Sequence, residues 1–156
     1  MHGSAAALTI RREAFDAPAA LGLRAELQAE LIAIYDGEDT ESGTKPTAAD
    51  TPVFLVARLG DEPVGCGALR PYDDGRIELK RMYVRPAYRG RGLSRAILAA
   101  LEDEARAEGA TTVILETGDR QAEAIALYER HGYESIPKYG PYVESAISLC
   151  YEKRLG

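Results

Sequence analysis

The sequence is poor in metal-ligating and cross-linking side chains: its 156 residues include two cysteines, Cys66 and Cys150, and two histidines, His2 and His131. The cysteines stand far apart, each inside an apolar, strand-like pattern. No metal site is expected, therefore, and buried reduced thiols are. No apolar run approaches the ~18 residues that a membrane span needs, which excludes a membrane-spanning segment. The start, Met1 to Glu13, lacks a basic region followed by a sustained apolar core, so no secretory signal is read there and a cytoplasmic location is expected. Positive charge is also short: 19 Lys and Arg against 25 Asp and Glu leave a net charge of −6. A nucleic-acid partner, which needs a clustered positive field, is not expected. Two nucleotide-binding patterns are missing as well, GxxxxGK[ST] and a GxGxxG followed by an acidic residue ~20 positions on. There is no internal repeat, low-complexity tract or linker. The length suits one domain over residues 1–156, able to bury roughly two thirds of its unfolded surface.

What is present is organised around Arg76 to Ala105, which reads as strand, turn and helix. Ile77, Leu79, Met82, Tyr83 and Val84 are strand formers, Pro86 ends the strand, and an apolar stripe recurs at Leu93, Ile97, Leu98 and Leu101. Between them lies Tyr88-Arg89-Gly90-Arg91-Gly92-Leu93-Ser94. Two glycines and a serine keep side chains out of the way, so the N–H groups of the turn and of the helix's first turn can point at one anion. Arg81, Arg85, Arg89, Arg91 and Arg95 make this the one basic cluster, suited to a small polyanion. A plain structural turn is the competing reading.

The rest of the chain supplies an α+β frame with a mixed sheet. Leu8 to Arg12 suits a first strand. Leu23, Leu27, Leu31, Ile34 and Tyr35 give one buried face to a helical stretch from Pro18 to Tyr35, as one helix or two short ones. Asp36 to Pro46 is acidic and without period: either a solvated loop or a lid whose carboxylates, Glu38, Asp39 and Glu41, attract a cationic amine. Val53 to Leu59 and Val64 to Leu69 form a hairpin about Gly60 to Pro63, and Pro71 to Gly75 turns into the Arg76 strand. Thr112 to Thr117 is a β-branched strand, Gln121 to Arg130 is helical and stops at Gly132, and Tyr133 to Ile136 and Ile147 to Arg154 are the final strands.

Arg89-x-x-Gly92-x-Ser94, Leu115-Glu116-Thr117, Gln121, and Ala124-Ile125-Ala126-Leu127-Tyr128 before Gly132-Tyr133 occur in one order over about Val53 to Arg154. In that order they resemble the GNAT N-acetyltransferase superfamily. Ser94 departs from the Gly or Ala usual in that loop but is small enough to preserve the backbone approach. The resemblance implies a central sheet of six to seven mostly antiparallel strands, splayed between the fourth and fifth, with about four flanking helices. It implies acetyl-CoA as co-substrate, held by the backbone of Met82, Tyr83 and Val84, by Gly90, Arg91, Gly92, Leu93, Ser94 and Arg95 with Arg89 leading, and by Gln121 and Ala124. Gln121 stands where many members have Asn.

By the same resemblance Tyr128 is the general acid, although periodicity alone makes it a core aromatic, and Glu116 and Glu78 are both candidates for the base. Either glutamate could instead pair with Lys80 or Arg81. Acyl transfer to an amine needs a neutral nitrogen, a polarised thioester carbonyl and a proton for the thiolate. The expected reaction is direct attack, in a ternary complex, by the primary amine of a small molecule, with Tyr35, Tyr139 and Tyr142 as pocket walls. A protein or peptide acceptor (N-terminal or lysine amine) and a non-catalytic acyl-CoA-binding module remain open. The expected assembly is a monomer or homodimer.

Overall fold

The computed structural model describes residues 6–156; His2 and the first part of the N-terminal stretch lie outside the described residues. Seven strands form one sheet in the order β1-β2-β3-β4-β5-β7-β6. They are β1 (Leu8–Arg12), β2 (Val53–Leu59), β3 (Glu62–Asp73), β4 (Arg76–Val84), β5 (Thr112–Gly118), β6 (Glu134–Ile136) and β7 (Ser148–Arg154), with helices α1 (Pro18–Ile34), α2 (Leu93–Ala107) and α3 (Ala122–Arg130). The described residues thus hold three α-helices and two short 3-10 turns, Pro86–Tyr88 and Gly140–Tyr142, where the resemblance implied about four helices. Every strand pairing is antiparallel except β4 with β5, whose connection must cross over and does so through α2.

Alternation along the strands divides the core. Val53, Leu55 and Ala57 of β2 face α2, where Ile97, Leu98 and Leu101 bury their stripe. Phe54 and Val56 face the opposite way, with Cys66, Ala68 and Tyr83, and receive Ala20, Leu23 and Leu27 of α1. Each fully buried leucine contributes about 1.5–3 kcal/mol by transfer from water. α2 lies close against β3 because Gly67 has no side chain: a Cβ there would sit 2.5 Å from Leu101 Cδ1. Both cysteines are buried and free, and burial pushes the Cys66 thiol up to about 12, so it stays protonated and inert.

One local expectation changes, the turn at Pro71, and two details that the sequence left open are settled. Residues 18–34 form a single helix with Pro18 in the first turn. β3 continues through Pro71, expected to be a turn residue, as far as Asp73. The pairing shifts register between Pro71 and Asp73, and such an irregularity tolerates a proline's missing donor. β7 inserts between β5 and β6, so the last two strands of the chain are not in sequence order across the sheet. Among the described residues no helix is long and apolar enough to cross a membrane.

Candidate active site

The sheet opens where β4 meets β5. The two strands pair at Arg76–Thr112, Ile77–Val113 and Glu78–Ile114 and then separate: β4 continues against β3 alone, while Leu115 to Gly118 of β5 continue against β7. The cause lies in β4. Cys66 pairs with Tyr83 and Ala68 with Lys80, so β4 carries one residue more than β3 between those points, and Arg81 takes a left-handed backbone with φ 60°. A bulge of this kind bends its strand and raises the local twist. The opening is a cleft of about 900 Å³ with Leu79 to Val84 of β4 and Glu116 to Gly118 of β5 in its walls, lined as well by α1, residues 38–41 and Tyr128 of α3.

The cleft runs into a second hollow of about 410 Å³, with which it shares Val84, Arg89, Gly90, Ser94, Leu127 and Arg130. This hollow is the glycine turn. Gly90 and Gly92 have φ 80° and 79°, a conformation that costs other residues roughly 1–2 kcal/mol. A Cβ built at Gly90 meets nothing within 4 Å. Gly92 caps α2 with no side chain bonding back to the helix, and the N–H groups of Gly90 to Arg95 have no partner among the described residues. Six unpartnered donors therefore gather at the N-terminus of α2, and five of their residues, Gly90 and Gly92 to Arg95, line the hollow together with Arg130.

Arg89 is tied down more than the motif suggests: it donates to Val84 O at 2.8 Å and to Glu30 at 2.7 Å, fastening the turn to β4 and α1. Arg91 stacks on Tyr88, 5.3 Å from the ring centre, and does not line the hollow. Arg130 and His131 do line it, and the sequence reading missed both. The available signal was their place at the end of the tyrosine helix, which the fold brings to the glycine turn. Gln121 starts α3 at its N-cap, and it and Ala124 line the cleft.

The two candidate bases are placed very differently. Glu116 lines the cleft, and Ser148 donates to it at 2.6 Å across the β5–β7 pair. Burial raises its pKa, with the Ser148 hydrogen bond acting in the opposite sense. Glu78 lies off the cleft wall, and both its oxygens are already engaged: Arg70 donates to Oε1 at 3.1 Å, Tyr139 to Oε2 at 2.7 Å and Tyr142 to the same oxygen at 3.1 Å. Tyr139 and Tyr142 are accordingly not pocket walls but the buried cage of Glu78. Tyr35 does reach the cleft, where its hydroxyl accepts from the Arg120 N–H at 3.1 Å.

Tyr128 is buried with its ring edge-to-face on Tyr133, and its hydroxyl borders the cleft with no hydrogen-bond partner among the described residues. Burial first, and the Glu116 charge second, raise its pKa, so the hydroxyl keeps its proton. The acidic segment matches neither a purely solvated loop nor a lid of free carboxylates. Lys45 pairs with Asp39 at 2.7 Å, and Arg81 and Lys80 reach Glu41 at 2.9 and 3.5 Å, leaving Glu38 alone without a partner among the described residues.

The fold that holds this site is shared with known proteins. The model of the acetyltransferase (GNAT) family matches residues 20–133. The chain belongs to that family. An IAA acetyltransferase of Azospirillum brasilense is 40% identical over 150 residues, covering 95% of this chain and 98% of the relative. A solved structure of a candidate acyl-CoA N-acyltransferase from Klebsiella pneumoniae superposes with a TM-score of 0.82 at 34% identity, over 96% of this chain and 98% of the other. A GNAT acetyltransferase from Elizabethkingia anophelis, solved with acetyl-CoA bound, shares the fold, with a TM-score of 0.70 at 18% identity over 95% of this chain and 98% of that one.

GNAT enzymes take their acetyl group from acetyl-CoA, and this chain has room and donors for it. The open space above Gly90 and the six unpaired N–H groups suit a pyrophosphate, and the unpaired inner edges of β4 and β5 suit an extended, amide-bearing arm.

Proposed function

We propose that this acetyltransferase, acting as a single domain, transfers an acetyl group to the primary amine of a small molecule by direct attack in a ternary complex. The observation that carries the reading is the continuity of the glycine-turn hollow with a cleft whose β5 wall holds a carboxylate in no ion pair, Glu116, and whose lining includes an unpartnered hydroxyl, Tyr128. Gly90 to Arg95 would hold the pyrophosphate, and the backbone of Met82, Tyr83 and Val84 the arm beyond it. When bound, acetyl-CoA supplies an electrophilic thioester carbonyl and a thiolate leaving group.

The protein's own groups manage the protons. The Glu116 carboxylate accepts a proton from the incoming ammonium, leaving a neutral nucleophile, and Ser148 orients that carboxylate. Tyr128 Oη holds the proton that a departing sulfur needs. We assign the base to Glu116 and not Glu78, because Arg70 and two tyrosines already saturate Glu78. Residues 38–41, which line the cleft, add a loop wall that favours a pocket for a small molecule over the open groove that a peptide needs. Release of free CoA, measured against a library of small amines and a matched library of peptides, tests this reading. Turnover confined to peptides, or acetyl-CoA binding without any acceptor, would overturn it.

A further inference from the structure

In a regular strand successive side chains point to opposite faces, and β4 obeys this up to Lys80. Ile77 and Leu79 lie on the α2 face, and Glu78 and Lys80 on the other, where both meet Tyr142. The extra residue then changes the phase. Met82 returns to the α2 face and Tyr83 to the α1 face, so Lys80 and Arg81, neighbours in sequence, are both left on the same side. Both reach the same carboxylate, Glu41: Arg81 through two bonds of 2.9 and 3.2 Å, Lys80 at 3.5 Å. Backbone strain of the kind seen at Arg81 persists where the surroundings impose it, and it concentrates at ligand-binding positions.

The charges do not balance. The Lys80 and Arg81 side chains are only 9% and 12% exposed, and they share one carboxylate; the other partner of Lys80 is the neutral Tyr142 hydroxyl. Arg24 adds a third positive charge close enough to be repelled by Arg81. Glu78 is already matched by Arg70, and Glu116, on the opposite wall, feels the Lys80 charge but forms no ion pair with it. The carboxylate that does sit here comes from a segment with no helix or strand between Ile34 and Val53, which Lys45–Asp39 ties to itself and Arg70 ties to β3 through Thr44 O and Asp50, none of these bonds involving Glu41. Moving Glu41 away breaks no helix or strand hydrogen bond.

We propose that Lys80 and Arg81 are a carboxylate-binding subsite, that the acceptor is an amino-carboxylate bearing both a primary amine and a carboxylate, and that Glu41 is the carboxylate which the acceptor's own displaces. The inference rests on the acetyltransferase reading above. It places the acceptor's acid group on the β4 wall and its amine toward Glu116 on the β5 wall of one cleft. An arginine fork presented edge-on is the geometry that recognises a carboxylate in two bonds, and a lysine beside it adds charge.

The test uses the full chain at saturating acetyl-CoA, with free CoA release as readout and free L-amino acids each paired with its carboxamide and its decarboxylated amine. The expected result is that free acids outperform their two partners by roughly tenfold or more in kcat/KM, as loss of a charge-assisted pair implies. Arg81→Gln should erase that preference by raising KM for the acids alone, and Glu41→Gln should lower KM for the acids. Because Arg81 has a left-handed backbone, Lys80→Met, at a regular strand position, provides a second variant, with the same expectation at smaller size. Equal use of acids and amides by the parent, or KM changes that are the same for both classes, overturns the inference. Turnover of carboxylate-free amines alone leaves the acetyltransferase reading standing and removes this inference. No CoA release from any amine removes both.

Discussion

Ser148 donates a hydrogen bond to the Glu116 carboxylate at 2.6 Å, joining β7 to the carboxylate that stands on the β5 wall of the cleft. Ser145 Oγ lies 2.7 Å from the same hydroxyl and fixes its direction. This pair ties the protein's acid–base chemistry to β7, whose place beside β5 is decided by tertiary structure.

The pH dependence of Glu116 follows in sign. Its pKa is raised in the folded protein, so the folded state holds this proton more tightly than the unfolded one. Stability from this group is present below the unfolded value and is lost as pH rises through the folded value. At neutral pH the buried charge is therefore a cost, and Glu116→Gln should melt at a slightly higher temperature than the parent while losing turnover. That loss should recover toward high pH, where the amine is already neutral. Ser148→Ala removes a donor that favours the ionised form, so the acid limb of kcat/KM should move to higher pH. A limb that stays in place in Ser148→Ala argues against Glu116 as the base.

Tyr128→Phe keeps the edge-to-face packing on Tyr133 and deletes a hydroxyl that bonds to nothing among the described residues. Its stability should change by less than about 1 kcal/mol and acetyl-CoA affinity should hold. Turnover should fall by ~10²–10⁴-fold, the usual range for a lost general acid. Steady-state kinetics beside calorimetric binding measures both, and full activity in this variant would remove Tyr128 from its role.

The glycine turn offers a contrast between neighbouring arginines. Arg95→Gln and Arg130→Gln should each weaken acetyl-CoA binding several-fold, about 1 kcal/mol, with a loss that shrinks in high salt because both groups sit on an exposed rim. Arg89→Gln acts differently: it cuts the ties to Val84 O and Glu30, so melting temperature should fall together with affinity. Gly92→Val should lower affinity most, since it fills the cradle and places a branched side chain at φ 79°. Thermal melts run with and without acetyl-CoA separate the two effects, and unchanged affinity in a folded Gly92→Val protein would move the pyrophosphate elsewhere.

Gly118 and Tyr35 are coupled by space. A Cβ at Gly118 would lie 1.9 Å from the Tyr35 hydroxyl and 2.9 Å from Gln121 Nε2. Gly118→Ala should cost about 1–3 kcal/mol by overpacking and break the Arg120 N–H bond to that hydroxyl. On a Tyr35→Phe background the penalty should be smaller, and denaturant unfolding of the four proteins in the cycle measures the coupling. Simple additivity would contradict the contact.

Much of the site was legible because it is local. Glycines at a strand-to-helix turn, an apolar stripe at Leu93, Ile97, Leu98 and Leu101, and the tyrosine at Tyr128 state their backbone needs within a few residues, and the sequence alone placed the β4–turn–α2 unit, β5 and α3. Backbone conformation and helical period depend on near neighbours, so such features survive any packing. The choice between Glu116 and Glu78 was not local: it depends on Arg70, Tyr139 and Tyr142 arriving around Glu78 from distant parts of the chain. Nor was the partnership of Glu41 with Arg81, which looked like a free acid in an acidic loop. The bulge at Arg81 lies inside a run that reads as an ordinary strand, because a bulge is a relation between two strands and neither one carries it alone. That relation separates β4 from β5 and puts Lys80 and Arg81 on one face. The sequence thus determined which pieces exist, and the tertiary structure decided which of their charges meet, since an ion pair across a cleft depends on distances that only the packed sheet sets.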